Sequence, residues 1–212
     1  MPVNLGFTAA DLDEIRNSLG GLSEKRRNHI LEVEKMAVRI GRIYTPDERS
    51  LLILGAAGLL HDITKEYTVD EHLLVLRARG FEPAAIELAA PKTLHAMSAA
   101  ALIPEKYPAF AIPEIISAVR WHTTGRGDMS VYDKIVYLAD YIDESRKFPE
   151  CVRLREMFWG PDPAAMNGEE REAHLTEVLI ESFDITVSGL LEERKPIHPL
   201  TSEARNFLIM NG

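Results

Sequence analysis

The stretch "GAAGLLHDITKEYT", residues 55–68, sets the problem that decides the fold. Small and apolar residues run straight into His61 and Asp62, and Lys65 and Glu66 follow one turn later. The apolar run that leads there, "LLILGAAGLL" (51–60), is about half of what a membrane helix needs, so it reads as a buried core helix. An ionised carboxylate at the inner end of such a helix costs free energy unless something compensates it.

Working outward, helix signals dominate. Ser23 caps a segment, "EKRRNHILEVEKMAVRIGRIY", that places His29, Val33, Met36, Ile40 and Ile43 on one face. Thr45-Pro46-Asp47-Glu48 has a capping-box pattern with Pro in first position and opens the helix that ends near His61. Thr68-Val69-Asp70-Glu71 repeats the box and opens "EHLLVLRAR", which Gly80 stops. Further helices are expected at about 94–106, where Pro104 kinks or ends the helix, and at 113–122, 130–143, 169–194 and 200–210. No stretch alternates strictly, and no Asn-Gly or Asp-Gly turn joins β-branched runs. The expected fold class is all-α. The loop-like stretch "FWGPDPAAMNGEE" (158–170) divides a main body, 1–157, from a C-terminal helical appendix, 158–212.

Composition excludes several classes of function. The 212 residues carry a net charge of −9 and no basic run, which argues against nucleic-acid binding but not against a nucleotide met by a local cation cluster. The single cysteine, Cys151, allows no intrachain disulfide and fits a reducing cytoplasm. The start "MPVNLGFTAADLDE" has no basic, apolar leader pattern, so neither a signal peptide nor a membrane anchor is expected.

Six residues of matched chemistry recur along these helices: His29, His61, Asp62, His95, His122 and Asp140. Imidazole and carboxylate suit a borderline or hard divalent metal, and a cation would compensate Asp62. Each residue also has a plainer reading. His29 alone fits an ordinary amphipathic face, and His61-Asp62 a polar turn at a helix end. His95 fits a solvated helix start, and His122 a hydrogen bond near a helix end. Asp140 is harder to dismiss, because Ile135, Val136, Leu138 and Ala139 surround it in sequence. His72 and His174 read as members of charged faces, and His198 as part of a Pro-flanked turn.

The order His, His-Asp, His, His, Asp resembles the HD-domain superfamily of metal-dependent phosphohydrolases. "LLHDITKE" (59–66), "TLHAMSAA" (93–100), "AVRWHTTGRGDMSVYDKIVYLADYIDESRKFP" (118–149) and "CVRLRE" (151–156) are more narrowly similar to its YqeK family. The resemblance spans roughly residues 22–157. It departs at Thr64, where the family commonly has Ala, and at Asp143-Glu144, where it often has Glu-Pro.

That resemblance implies an all-helical HD bundle whose six residues hold a divalent metal. Two ions are expected, with iron favoured over manganese or cobalt. It further implies symmetric hydrolysis of diadenosine tetraphosphate, a nucleotide substrate, to two ADP in a cytoplasmic enzyme. A homodimer is compatible with it.

Lys65 and Arg126 lie about one helical turn from candidate ligands, and Arg146 follows Asp140. Together with Thr123, Thr124 and Gly125 they are the expected phosphate-binding groups. Asp62 is the expected metal bridge and Asp133 the expected orienting or acid carboxylate, with Asp143 its alternative. Two rival readings remain: a nucleotide-sensing regulatory module, and an HD hydrolase of another nucleotide. Metal-dependent turnover separates the first from an enzyme.

Overall fold

The computed structural model describes residues 6–212, and among them every regular element is helical. Thr8 opens α1 (Ala9–Ser18) with a capping box. Ser23 accepts from the Arg26 amide and starts α2 (Glu24–Tyr44), which carries His29 on its buried face. The next helix, α3 (Glu48–Leu60), is capped by Asp47, which accepts from the Ser50 amide. The expected capping box at Thr45 therefore does not form: Thr45 is the C-cap of α2, and its backbone N–H donates to Gly41. Gly58 lets α2 and α3 touch backbone to backbone, since a Cβ there would lie 2.8 Å from Glu34 Cα. This close crossing sets His61, at the C-cap of α3, beside His29.

Thr68 and Glu71 form the expected capping box of α4 (Val69–Arg77), and Gly80 follows with φ 76°. A short α5 (Ala85–Ala89) and a 3-10 turn lead into α6 (Leu94–Lys106). Pro104 does not end α6. It removes one amide donor near the helix's last turn, where loss of one bond is tolerated. Next come α7 (Pro113–Trp121) and α8 (Val131–Ile142), the latter with a Ser130/Asp133 capping box. Then follow α9 (Pro149–Trp159), α10 (Gly168–Glu192) and α11 (Pro199–Asn211).

Helices α2, α3, α7 and α8 pack against one another and form the body of the core. The C-terminal helices extend that core: Leu175, Val178, Phe183 and Ala204 belong to the same buried apolar cluster as Ile30, Leu59 and Leu138. Phe183 stacks on Tyr137 of α8 with ring centroids 4.6 Å apart.

The turn after α7 is shaped by the same contact. Gly125 has φ 65°, and a Cβ there would meet Phe183 at 2.6 Å and Ala204 at 2.9 Å, so the turn and the C-terminal helices seat on each other only with glycine. Two histidines expected on solvated faces are buried instead. His72 bonds Ser98 Oγ at 2.8 Å, and His174 bonds the Phe158 carbonyl at 2.9 Å and stacks on its ring. Charged neighbours in sequence did not reveal that each lies on the inner side of its helix. No described helix is long and apolar enough to cross a membrane.

Candidate metal centre

His29 comes from α2, His61 and Asp62 from the end of α3, His95 from α6, His122 from the end of α7 and Asp140 from α8. The structure brings all six together. Five are buried, and Asp140 is nearly so.

The imidazoles are oriented by a repeated device. His61 Nδ1 donates to the Gly58 carbonyl, His95 Nδ1 to Lys92 and His122 Nδ1 to Val119, each at 2.7 Å and each three residues back. His29 Nδ1 faces Asp143 Oδ2 and Ser145 Oγ, both at 3.3 Å. Fixing the proton on Nδ1 leaves Nε2 as a lone pair, the form that binds a cation.

All four Nε2 atoms converge on Asp62. Its Oδ2 lies 3.6 Å from His29 Nε2 and 3.5 Å from His61 Nε2. Its Oδ1 lies 3.2 Å from His95 Nε2 and 3.7 Å from His122 Nε2. Asp140 Oδ1 joins the first pair, 2.9 Å from His29 Nε2 and 3.8 Å from His61 Nε2. The two oxygens of one carboxylate thus face two separate sets of donors.

These groups fit a divalent cation and fit little else. Nε2 of His29, Nε2 of His61 and Oδ1 of Asp62 are buried without a hydrogen-bond partner. Nε2 of His95 and of His122 stand 2.9 Å apart, lone pair against lone pair in their Nδ1-protonated forms. Buried polar atoms are rarely left so.

The titration behaviour agrees. Burial pushes His95 down to about 3, against the pull of Asp62, and burial likewise lowers His122, so both are neutral at pH 7. Burial would raise Asp62, but its interactions with His61, Lys65 and His122 hold it well below its usual value. Asp140 is likewise kept ionised against burial, chiefly by Arg146. Burial would lower His29, but Asp140 and Asp143 outweigh it and raise it to about 9.

A cation held by His29 would therefore have to displace a proton at pH 7. Metal affinity should rise with pH up to about 9 and then flatten. Calorimetric titration with manganese in buffers of different ionisation enthalpy should show close to one proton released from this residue at pH 7, and none from it in His29→Gln. Proton release equal in both proteins would contradict the assignment.

The other expected residues divide into two groups. Lys65 Nζ reaches His95 Nε2 at 3.0 Å and Asp62 Oδ1 at 3.6 Å. Thr123 Oγ1 lies 3.2 Å from His95 Nε2. Arg146 donates to Asp140 Oδ1 at 2.5 Å and to its carbonyl at 2.9 Å. These three face the cluster.

Thr124, Gly125, Arg126 and Asp133 have their described bonds elsewhere. The Thr124 hydroxyl donates to the Gly125 carbonyl, and the Gly125 amide to Trp121. Arg126 pairs with Asp133 Oδ2 at 3.5 Å, and the same oxygen accepts from the Ser130 amide.

Two groups escaped the sequence reading. Arg26 is ion-paired with Asp62, and Ser145 helps hold His29. A signal existed for Arg26, which stands three residues before His29 and so shares its helix face.

Several spaces lie at or near the cluster. A cleft of about 410 Å³ is lined by Lys65, His122, Thr123, Asp140 and Arg146, and Leu190 of α10. It shares Thr123 and Leu190 with a narrower slot of about 320 Å³ walled by Pro91, Thr124, Pro196 and His198. A cavity of about 610 Å³, which shares Arg146 and Phe148 with the cleft, is lined besides by Lys25, Arg26, His29 and Lys147.

Residues 26–145 match the family described as HD domain. The chain is 28% identical to the symmetrical bis(5'-nucleosyl)-tetraphosphatase of Halalkalibacterium halodurans, over 89% of this chain and 91% of the relative. It is likewise 28% identical to the protein of that name from Bacillus subtilis, again over 89% and 91%. Among solved structures it is similar to a "predicted HD superfamily hydrolase involved in NAD metabolism" from Clostridium acetobutylicum. That likeness has 31% identity and a TM-score of 0.81, covering 94% of this chain and 97% of the other.

Proposed function

The chain belongs to the HD domain family, and from that premise we propose that it hydrolyses diadenosine tetraphosphate symmetrically to two ADP, using two divalent cations held by His29, His61, Asp62, His95, His122 and Asp140. The observation that carries a hydrolytic centre is Asp62, whose two oxygens each face their own pair of imidazole Nε2 atoms. The choice of substrate rests on the relatives' names.

When bound, such cations supply Lewis-acid polarisation of a phosphoryl oxygen and make water a better nucleophile near neutral pH. The chain's own groups do the rest. The Lys65 ammonium and the Arg146 guanidinium lie at the cluster and offset phosphate charge as it grows in the transition state. The Thr123 hydroxyl, 3.2 Å from His95 Nε2, donates to a phosphate oxygen. Asp143 holds the His29 proton on Nδ1. Asp133 and Arg126 brace the turn that presents Thr123, so we assign them positioning parts.

The retained ADP half lies along the cleft, with its nucleoside in the slot between Pro91 and Pro196. This gives α10 and α11 a role as one wall of the substrate site. In the reaction one water oxygen joins the second phosphorus from the retained nucleoside, and the bridge to the third phosphorus breaks. The second ADP departs with the bridging oxygen.

Anaerobic turnover in oxygen-18 water, with iron, manganese or cobalt supplied, tests this. Two ADP are expected, one labelled on its terminal phosphate. AMP and ATP as products would place attack at another phosphorus. No metal-dependent cleavage of any dinucleoside polyphosphate would overturn the reading.

A further inference from the structure

Phe148 is 62% exposed, although a large apolar side chain gains nothing from facing water. It takes no part in the buried core. Its backbone is nevertheless tied down. It is the N-cap of α9, with Pro149 fixing the first position of that helix. The segment leading to it is clamped by Arg155, which donates to the carbonyls of Ile142 at 2.7 Å and Arg146 at 2.9 Å, and also to Asp143. An aromatic ring held ready on a fixed loop is a preformed contact surface.

Phe148 and Arg146 line both the cleft beside Asp140 and the larger cavity beside His29. They form the ridge between two spaces that meet at the metal-ligand cluster. A substrate with a nucleoside at each end of four phosphates must extend both ways from the phosphorus that is attacked. The cleft side leads into the narrow apolar slot. The other side is wide and carries Lys25, Arg26 and Lys147 besides Arg146. Its two carboxylates, Glu32 and Glu144, have partners in Lys35 at 2.7 Å and Arg155 at 3.7 Å, as Arg26 has in Asp62 and Arg146 in Asp140, so Lys25 and Lys147 are the lining cations with no ion pair among the described residues. In a chain of net charge −9, this is a local excess of cation beside an exposed ring.

Resting on the function proposed above, we infer that this second space is the site of the departing half: a nucleoside diphosphate whose base stacks on Phe148 and whose phosphates meet Lys25, Arg26 and Lys147. A planar base has a π-face whatever its identity, so the contact selects for the presence of a second nucleoside rather than for one base. Adenosine 5'-tetraphosphate lacks that nucleoside and yields ADP and pyrophosphate from the same bond. The ratio of kcat/KM for diadenosine tetraphosphate to kcat/KM for adenosine tetraphosphate therefore reads the contact directly.

Phe148→Ala should lower this ratio about tenfold, and Phe148→Tyr, which keeps the ring, should restore it to within twofold of wild type. Because both substrates are measured on each variant, a general loss of folding or metal moves numerator and denominator together. A ratio unchanged in Phe148→Ala, with wild-type cleavage intact, overturns the site and leaves the function standing. A wild-type protein that cuts neither substrate overturns the function and the site with it.

Discussion

Replacing Asp62 by Ala is expected to reduce hydrolysis by more than about a thousandfold, with loss of bound metal from both positions. A thousandfold corresponds to about 4 kcal/mol of transition-state stabilisation, within the range a catalytic cation supplies. The expectation follows from the geometry of one side chain. Asp62 is 1% exposed, and its two oxygens serve two donor sets, so no neighbour can replace it. Asp140 reaches only the His29 and His61 side.

The variant should still fold. Removing a buried charge relieves its desolvation, which offsets the partners that Arg26 and Lys65 lose. Far-ultraviolet circular dichroism should be unchanged. The metal-loaded wild type should melt higher than the variant by whatever metal contributes, and the two apoproteins should melt close together. Turnover within tenfold of wild type would remove Asp62 from the centre of the mechanism.

How far the sequence revealed this arrangement depends on which force decides each feature. The bounds of α2 were legible because Ser23 caps it and its apolar face is continuous. The start of α3 was misplaced, because Thr45 and Asp47 are both good caps and only the chain's path decides between them. Helices α1 and α9 went unread. Their apolar positions are few, so the Thr8 capping box of α1 and Pro149 at the start of α9 were the only local signals, and packing does the rest.

For the site, residue chemistry and order were enough to name the six converging groups. Their orientation was not legible. Nothing in a linear pattern says that His61, His95 and His122 each lend Nδ1–H to the carbonyl three residues earlier. Nor does it say that Asp143 takes the same part for His29. The turn around Arg126 is shaped by packing as well. A Gly-rich basic turn reads as a phosphate cradle, yet Gly125 is required there by Phe183 and Ala204 packed against it, and its amide closes the turn on Trp121. Tertiary packing can impose glycine as firmly as a ligand can.

The second large effect concerns the number of ions. His122→Asn is expected to remove one of the two proposed cations, and to lower kcat about a hundredfold or more. Asn is the informative replacement. Its amide nitrogen reaches the Val119 carbonyl in place of Nδ1–H, so the buried hydrogen bond survives while Nε2 is lost. What remains on that side is His95 and Asp62 Oδ1, too few protein ligands for a stable site. The His29, His61, Asp62 and Asp140 side keeps its full set. Metal analysis after gel filtration should fall from about two equivalents to about one, whereas His29→Asn, which leaves His61, Asp62 and Asp140 on the other side, should lose less metal than His122→Asn. If His122→Asn retains both equivalents and near-normal turnover, the His95–His122 pair holds no ion, and the short Nε2 to Nε2 contact must be bridged by a proton instead. If either variant loses both equivalents together, the two positions fill cooperatively through Asp62, and the carboxylate couples the ions rather than merely joining them.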